Sequence, residues 1–112
     1  MKVVQCIIRP SKLEEVKNAL SAAGVAGMTV REVRGCGRQK GFVQHYRTTE
    51  TLVNLLPKTE LEIVVNDEQV ELVIDVVCEA AKTGELGDGK IFIFDVVDAV
   101  RIRTKERGKG VL

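Results

Sequence analysis

The chain has 112 residues, 45% hydrophobic and 29% charged, with a formal net charge of +1. Those figures fit one globular domain with one core, and they argue against a nucleic-acid coat or a membrane-surface patch. The apolar runs are far too short for a membrane span, and one histidine with three cysteines but no C-x-x-C argues against a zinc site within one chain.

The first predicted element is a strand over Val3 to Arg9, rich in Val and Ile. It starts almost at once, so no secretory leader is expected. Ser11 and Glu14 have the spacing of a capping box. Leu13, Val16, Leu20 and Ala23 then recur at helical spacing, and Gly24 marks the stop. A second strand follows over Met28 to Arg34. The third, Lys58 to Val65, alternates: Leu61, Ile63 and Val65 share one face, and Glu60, Glu62 and Val64 the other. Asn66 or Asp67 caps a second helix with the apolar stripe Val70, Val73, Ile74, Val77 and Ala81, ended by Gly84. Ile91 to Val97 is nearly all apolar and predicts a central strand. Val100 to Thr104 predicts a short fifth strand with Arg101 and Arg103 on one face.

Strand, helix, strand, twice over, predicts an α+β fold: a ferredoxin-like double βαβ sandwich with both helices on one face of the sheet. The other face then needs cover, so self-association is expected. Between the second and third strands lies a connection from Cys36 to Pro57. It is too long for a hairpin turn and has no strong period, so it is expected to be a functional loop that orders against a partner. Cys6 and Cys78 are expected to be small core residues, whereas Cys36 lies in a glycine loop. An odd cysteine count suits a reducing cytoplasm.

Two glycine-rich segments carry the chemistry. Gly35-Cys36-Gly37-Arg38-Gln39-Lys40-Gly41 and Gly84-Glu85-Leu86-Gly87-Asp88-Gly89-Lys90 each combine three glycines with at least one cation. Bare N–H groups beside Lys or Arg suit phosphate oxygens. The second segment matches G-x-x-x-x-G-K, but Ile91 stands where a P-loop needs Ser or Thr, and the loop runs from helix to strand. A simple helix-ending turn on Gly84 and a phosphate cradle both remain open on spacing alone. Lys90, Arg101 and Arg103 shift the balance toward a triphosphate site, while a charged edge strand that discourages aggregation stays open as the reading of these cations alone. Gln39 has an amide oxygen that can ligate Mg²⁺, and Lys58 can pair with a carboxylate. No catalytic pairing of Ser, His, Asp or Cys suggests itself.

Several runs together resemble the PII nitrogen-regulatory signal-transduction proteins. They are Ile7-Ile8-Arg9-Pro10, Gly27-Met28-Thr29-Val30, the segment from Gly35 to Gly41, Leu56-Pro57-Lys58, Thr83-Gly84, Gly87-Asp88-Gly89-Lys90-Ile91-Phe92 and Arg101-Ile102-Arg103-Thr104. The resemblance spans nearly the whole chain. It implies one signalling domain over residues 1–112, a homotrimer, and ATP or ADP bound between neighbouring subunits. The 83–90 loop would wrap the nucleotide, with Gly87, Asp88, Gly89, Lys90 and Arg103 on it and Arg101 reaching from the adjacent chain. Gly35, Gly37, Arg38 and Gln39 would form the base of the 36–57 effector loop. Thr29, Glu62 and Val64 would line the adenine. With Mg-ATP, 2-oxoglutarate would enter beside Gln39, Lys40, Gly41, Lys58 and Gly87, with Gln39 on the Mg²⁺ and Lys58 on the distal carboxylate.

The implied role is a cytoplasmic, non-enzymatic sensor, with at most slow ATP turnover. It would regulate an ammonium transporter or a nitrogen-metabolism enzyme through the effector loop, meeting a membrane only through a transporter. Many bacterial members carry a modified tyrosine at position 51; here it is Thr51, so uridylylation or adenylylation should be absent. Position 49, a phosphorylated serine in some cyanobacterial relatives, is Thr49. The alternative from the residues alone is a small acylphosphatase-like hydrolase on the same fold. A sheet-based RNA binder is disfavoured by four aromatics without an RNP pattern.

Overall fold

The computed structural model describes residues 1–36, 43–46, 49–52 and 55–112. Its strands are β1 (Lys2–Ile8), β2 (Thr29–Gly35), β3 (Val43–Tyr46), β4 (Thr49–Leu52), β5 (Leu56–Val65) and β6 (Lys90–Asp95), and its helices are α1 (Leu13–Ala22) and α2 (Val70–Ala81). Four strands form one antiparallel sheet in the order β2-β5-β1-β6. That order, with one helix in each half, is the expected ferredoxin-like arrangement.

Alternation decides which face is core. Val4, Cys6 and Ile8 of β1 lie beside Ile63, Leu61 and Thr59 of β5, all buried. Val16 and Leu20 of α1 and Val73, Val77 and Ala81 of α2 close over them. Burying one such Leu or Val is worth about 1.5–3 kcal/mol. The opposite face carries Val3, Gln5 and Ile7 against Val64, Glu62 and Glu60, with Phe94, Phe92 and Lys90 alongside. Phe92 and Phe94 are about half exposed there, as an uncovered sheet face requires.

Several expectations need correction. β6 is an edge strand, not a central one. It is apolar on both sides because Ile91 leans on the core while Phe92 and Phe94 line the open face. No fifth strand forms over Val100 to Thr104. Val100 makes an isolated bridge to Arg107, and the Arg101 carbonyl accepts from the Lys105 N–H at 2.7 Å, so the chain turns back. Arg101 and Arg103 therefore do not share a strand face. The Ser11 box does not form: Pro10, which has no N–H, opens a 3-10 turn that leads into α1. Cys78 is exposed rather than core, lining an apolar cleft between α2 and β6 with Ile74, Val77 and Ile93. Cys6 is buried as expected, and burial pushes its thiol up to about 12.

The 36–57 connection also differs from a plain loop. Val43–Tyr46 and Thr49–Leu52 pair as a two-stranded antiparallel ladder, and β5 already begins at Leu56. At the start of α2 the Asn66 N–H donates to Gln69 Oε1 at 3.2 Å. At its end Lys82 is extended, so Gly84 is not the helix cap but part of the following loop.

Candidate functional site

The register brings several chain segments to one end of the sheet. Gly35 ends β2 opposite Leu56, Lys58 stands opposite Val33, and Lys90 opens β6 opposite Ile7. Arg9 follows directly on β1. The 83–89 loop closes over this end.

Asp88 organises that loop. Its Oδ2 accepts from the Thr83 N–H at 2.8 Å and the Gly84 N–H at 3.0 Å, and its Oδ1 from the Thr83 hydroxyl. Arg9 Nε donates to Oδ1 at 3.1 Å, and Arg9 Nη2 to the Leu86 carbonyl at 2.8 Å. The Thr83 hydroxyl and N–H, with help from Gly84 and Arg9, hold the Asp88 carboxyl well below the usual carboxylate range. Gly84, Gly87 and Gly89 have φ of +90°, +102° and +104°. At Gly89 a Cβ would meet the Ile7 carbonyl oxygen at 1.7 Å, so the loop can lie against β1 only with glycine there.

Lys58 Nζ donates to the Gly87 carbonyl at 2.7 Å. Partial burial first and Arg9 second push its ammonium down, while Asp88 opposes them. Two cations beside one carboxylate make this end attractive to anions. A concavity of about 500 Å³ adjoins it, lined by Pro10, Val33, Arg34, Pro57 and Lys58 among others.

Thr29, Lys58, Glu62, Val64 and Lys90 all lie on the open face, as the register shows. Lys58 to Glu62 is four strand residues, roughly 13 Å, a span suited to a phosphate group at one end and a base at the other. Glu62 is engaged in the chain itself. Arg31 Nη1 and Nη2 reach its Oε2 at 3.2 and 3.0 Å, and Nη1 also meets Glu60. Hydrogen bonds to Glu62 and then Glu60 push the Arg31 guanidinium further up.

Not every expected residue is brought together. Gly37, Arg38, Gln39, Lys40 and Gly41 lie outside the described residues. Arg101 pairs with Glu106 at 3.1 Å, and Arg103 is exposed in the turn. Neither meets the 83–90 loop in the described contacts. Arg9 and Arg31 were given no site role by sequence reasoning. The signal for Arg31 was available: it alternates with Thr29 on one strand, and two glutamates alternate on the next.

Comparison with known proteins now bears on this site. The family described as "Nitrogen regulatory protein P-II" matches residues 1–106. "Nitrogen regulatory protein P-II 2" of Methanothermobacter thermautotrophicus is 60% identical over 109 residues, covering 97% of this chain and 95% of that protein. The P-II protein of Microchaete diplosiphon is 59% identical over 107 residues, 96% of each chain. "Nitrogen regulatory protein P-II 1" of Escherichia coli K12 is 51% identical over 112 residues, all of both chains. The chain belongs to the nitrogen regulatory protein P-II family.

Proposed function

We propose that this chain is a non-enzymatic sensor that joins nitrogen, carbon and energy status. Membership of the P-II family carries the nitrogen-signalling role. The finer reading is that ATP or ADP binds between the subunits of a homotrimer and that 2-oxoglutarate binds beside Mg-ATP. The observation that carries it is the loop clasped by Asp88, set beside Lys58 and Lys90 at one end of an open sheet face.

The loop's backbone and Lys90 would hold phosphate oxygens, and Thr29, Glu62 and Val64 would border the base on the same face. Arg103 would join Lys90 on the phosphates, and Arg101 would reach them from the adjacent subunit, which suits the pairing of Arg101 with Glu106 rather than with its own chain's loop. The half-exposed Phe92 and Phe94 support assembly through the open face. At Lys58 the one neighbouring carboxylate, Asp88, is already engaged by Arg9 and the loop, so magnesium would fit there as a companion of the phosphates. Gln39 would be its protein ligand. With both bound, Gln39, Lys40, Gly41 and Gly87 would border 2-oxoglutarate and Lys58 would take its distal carboxylate.

The 36–57 segment starts at Cys36, directly after Gly35 at this end of the sheet, and would be the output element. Its partner would be an ammonium transporter or a nitrogen-metabolism enzyme. Among the described residues no helix is long and apolar enough to cross a membrane; a cytoplasmic location belongs to the proposal.

Calorimetric titration with 2-oxoglutarate tests the reading. Binding is expected only when Mg-ATP is present, and the coupling must be reciprocal. Equal binding without nucleotide would remove the mechanism. Lys58→Ala is expected to keep ATP and lose 2-oxoglutarate; loss of ATP with the assembly intact would show that Lys58 has a different role.

A further inference from the structure

The open face carries a polar cluster around Glu62: Gln5, Glu60 and Arg31, none of which the proposed ligand contacts use. Arg31 stands opposite Glu60 in the β2–β5 register, and Glu62 stands opposite Thr29. Cross-strand charge pairs of this kind are normally weak surface pairs. Two details set this one apart. Glu60 is the deeper carboxylate, its side chain 14% exposed against 34% for Glu62. Gln5 Nε2 donates to Glu60 Oε1 at 3.0 Å, and Glu60 Oε2 meets Arg31. Arg31 is thus held from behind by a fixed carboxylate.

The second detail is how the guanidinium meets Glu62. Both of its terminal nitrogens converge on one oxygen, Oε2, at 3.2 and 3.0 Å. Among the described contacts no group donates to Glu62 Oε1. One carboxylate oxygen is therefore tied, and among the described contacts the other is left as an acceptor, with Glu62 opposite Thr29 in the register.

We propose that Arg31 is a positioning residue that makes Glu62 choose adenine over guanine. This rests on the nucleotide reading above, with the base at Thr29, Glu62 and Val64. A free carboxylate can grip guanine with two oxygens, accepting from its N1–H and from its exocyclic amine together. Tying Oε2 removes that mode. The remaining oxygen can accept from one exocyclic amine, which adenine offers at the position where guanine carries a carbonyl oxygen. Guanine seated in that same orientation would face oxygen against oxygen. Arg31 would act through Glu62, setting which acceptor the ligand meets.

The test is calorimetric titration of the full chain and of Arg31→Met and Arg31→Lys with three probes: ATP, GTP and inorganic tripolyphosphate. A urea midpoint and the oligomeric state are measured for each variant. In Arg31→Met the ATP-to-GTP affinity ratio is expected to fall about tenfold, the scale of one hydrogen bond to a charged group. Tripolyphosphate affinity is expected to stay within about twofold of wild type, because the phosphate end lies roughly 13 Å away along β5. Arg31→Lys restores the charge but not the two-nitrogen fork, so its ratio is expected to stay near that of Arg31→Met. An unchanged ratio in Arg31→Met overturns the proposal, as does full rescue by lysine. Equal weakening of all three probes also overturns it, because that is the signature of lost charge alone. If the wild-type chain binds no ATP, the nucleotide reading itself fails; if it binds ATP and Arg31→Met keeps the ratio, only the role of Arg31 does.

Discussion

Two connections lead from a helix into the next strand, and they use glycine differently. After α1 the chain makes a Schellman end. The Val25 N–H donates to the Leu20 carbonyl at 2.9 Å and the Gly24 N–H to the Ser21 carbonyl at 3.0 Å. Gly24 has φ of +85° and open space where a side chain would go. After α2 no such cap forms. The chain instead spends Thr83 to Gly89 on a loop centred on the Asp88 carboxylate and clamped to β1 by Arg9. The first connection satisfies only its own helix. The second is tied to two other strands and stands beside Lys58 and Lys90. A glycine after a helix is thus no sign of a site; long-range contacts to the glycine loop are.

The sharpest way to break this comparison is to add one methyl group at each place. Gly89→Ala is expected to be the more damaging change. Its Cβ would lie 1.7 Å from the Ile7 carbonyl oxygen at a φ of +104°. The loop must lift or the β1–β6 pairing must part, at about 3–4 kcal/mol. Gly24→Ala meets only the strain of its left-handed backbone, about 1 kcal/mol. Urea unfolding of both variants measures the difference. Equal losses would mean that the 83–89 loop is no more constrained than an ordinary helix end.

The same contrast explains what was legible in the sequence. Both helices and the β5 alternation follow from local period, and the burial of Val16, Leu20, Val73 and Val77 confirms them. The family was legible because its motifs are contiguous runs. Position within the sheet was not. β6 is apolar on both faces, which reads as central, yet its second apolar side belongs to an open face at the sheet edge. The Arg101-Ile102-Arg103 alternation looked like a strand. Among the described residues it has no neighbouring strand to pair with, and Lys105 at φ +62° and Gly108 at φ +88° accompany its turn back. Arg9 and Asp88 lie 79 residues apart, so no local pattern announces their contact. Lys58 and Lys90 were named singly, but only the register shows that they share a face with Thr29 and Glu62.

A gentler probe separates the two connections by pH. Asp88 has a folded-state pKa below its unfolded value, so its contribution is complete above the ordinary aspartate value, about 3.9. It is lost as pH falls from there toward the lower folded value. Amide-exchange protection at Thr83 and Gly84 is therefore expected to be flat from neutrality to about pH 4 and to decline in stronger acid. The Gly24 and Val25 amides bond only to backbone carbonyls, so no titrating group bears directly on their protection. Asp88→Asn keeps one acceptor oxygen where the carboxylate supplies two. It is expected to lower protection at Thr83 and Gly84 already at neutral pH, to remove the acid-dependent decline, and to leave Gly24 and Val25 unchanged. Undiminished protection at Thr83 in Asp88→Asn would show that the loop is held by its backbone alone, and the two connections would then differ in length rather than in kind.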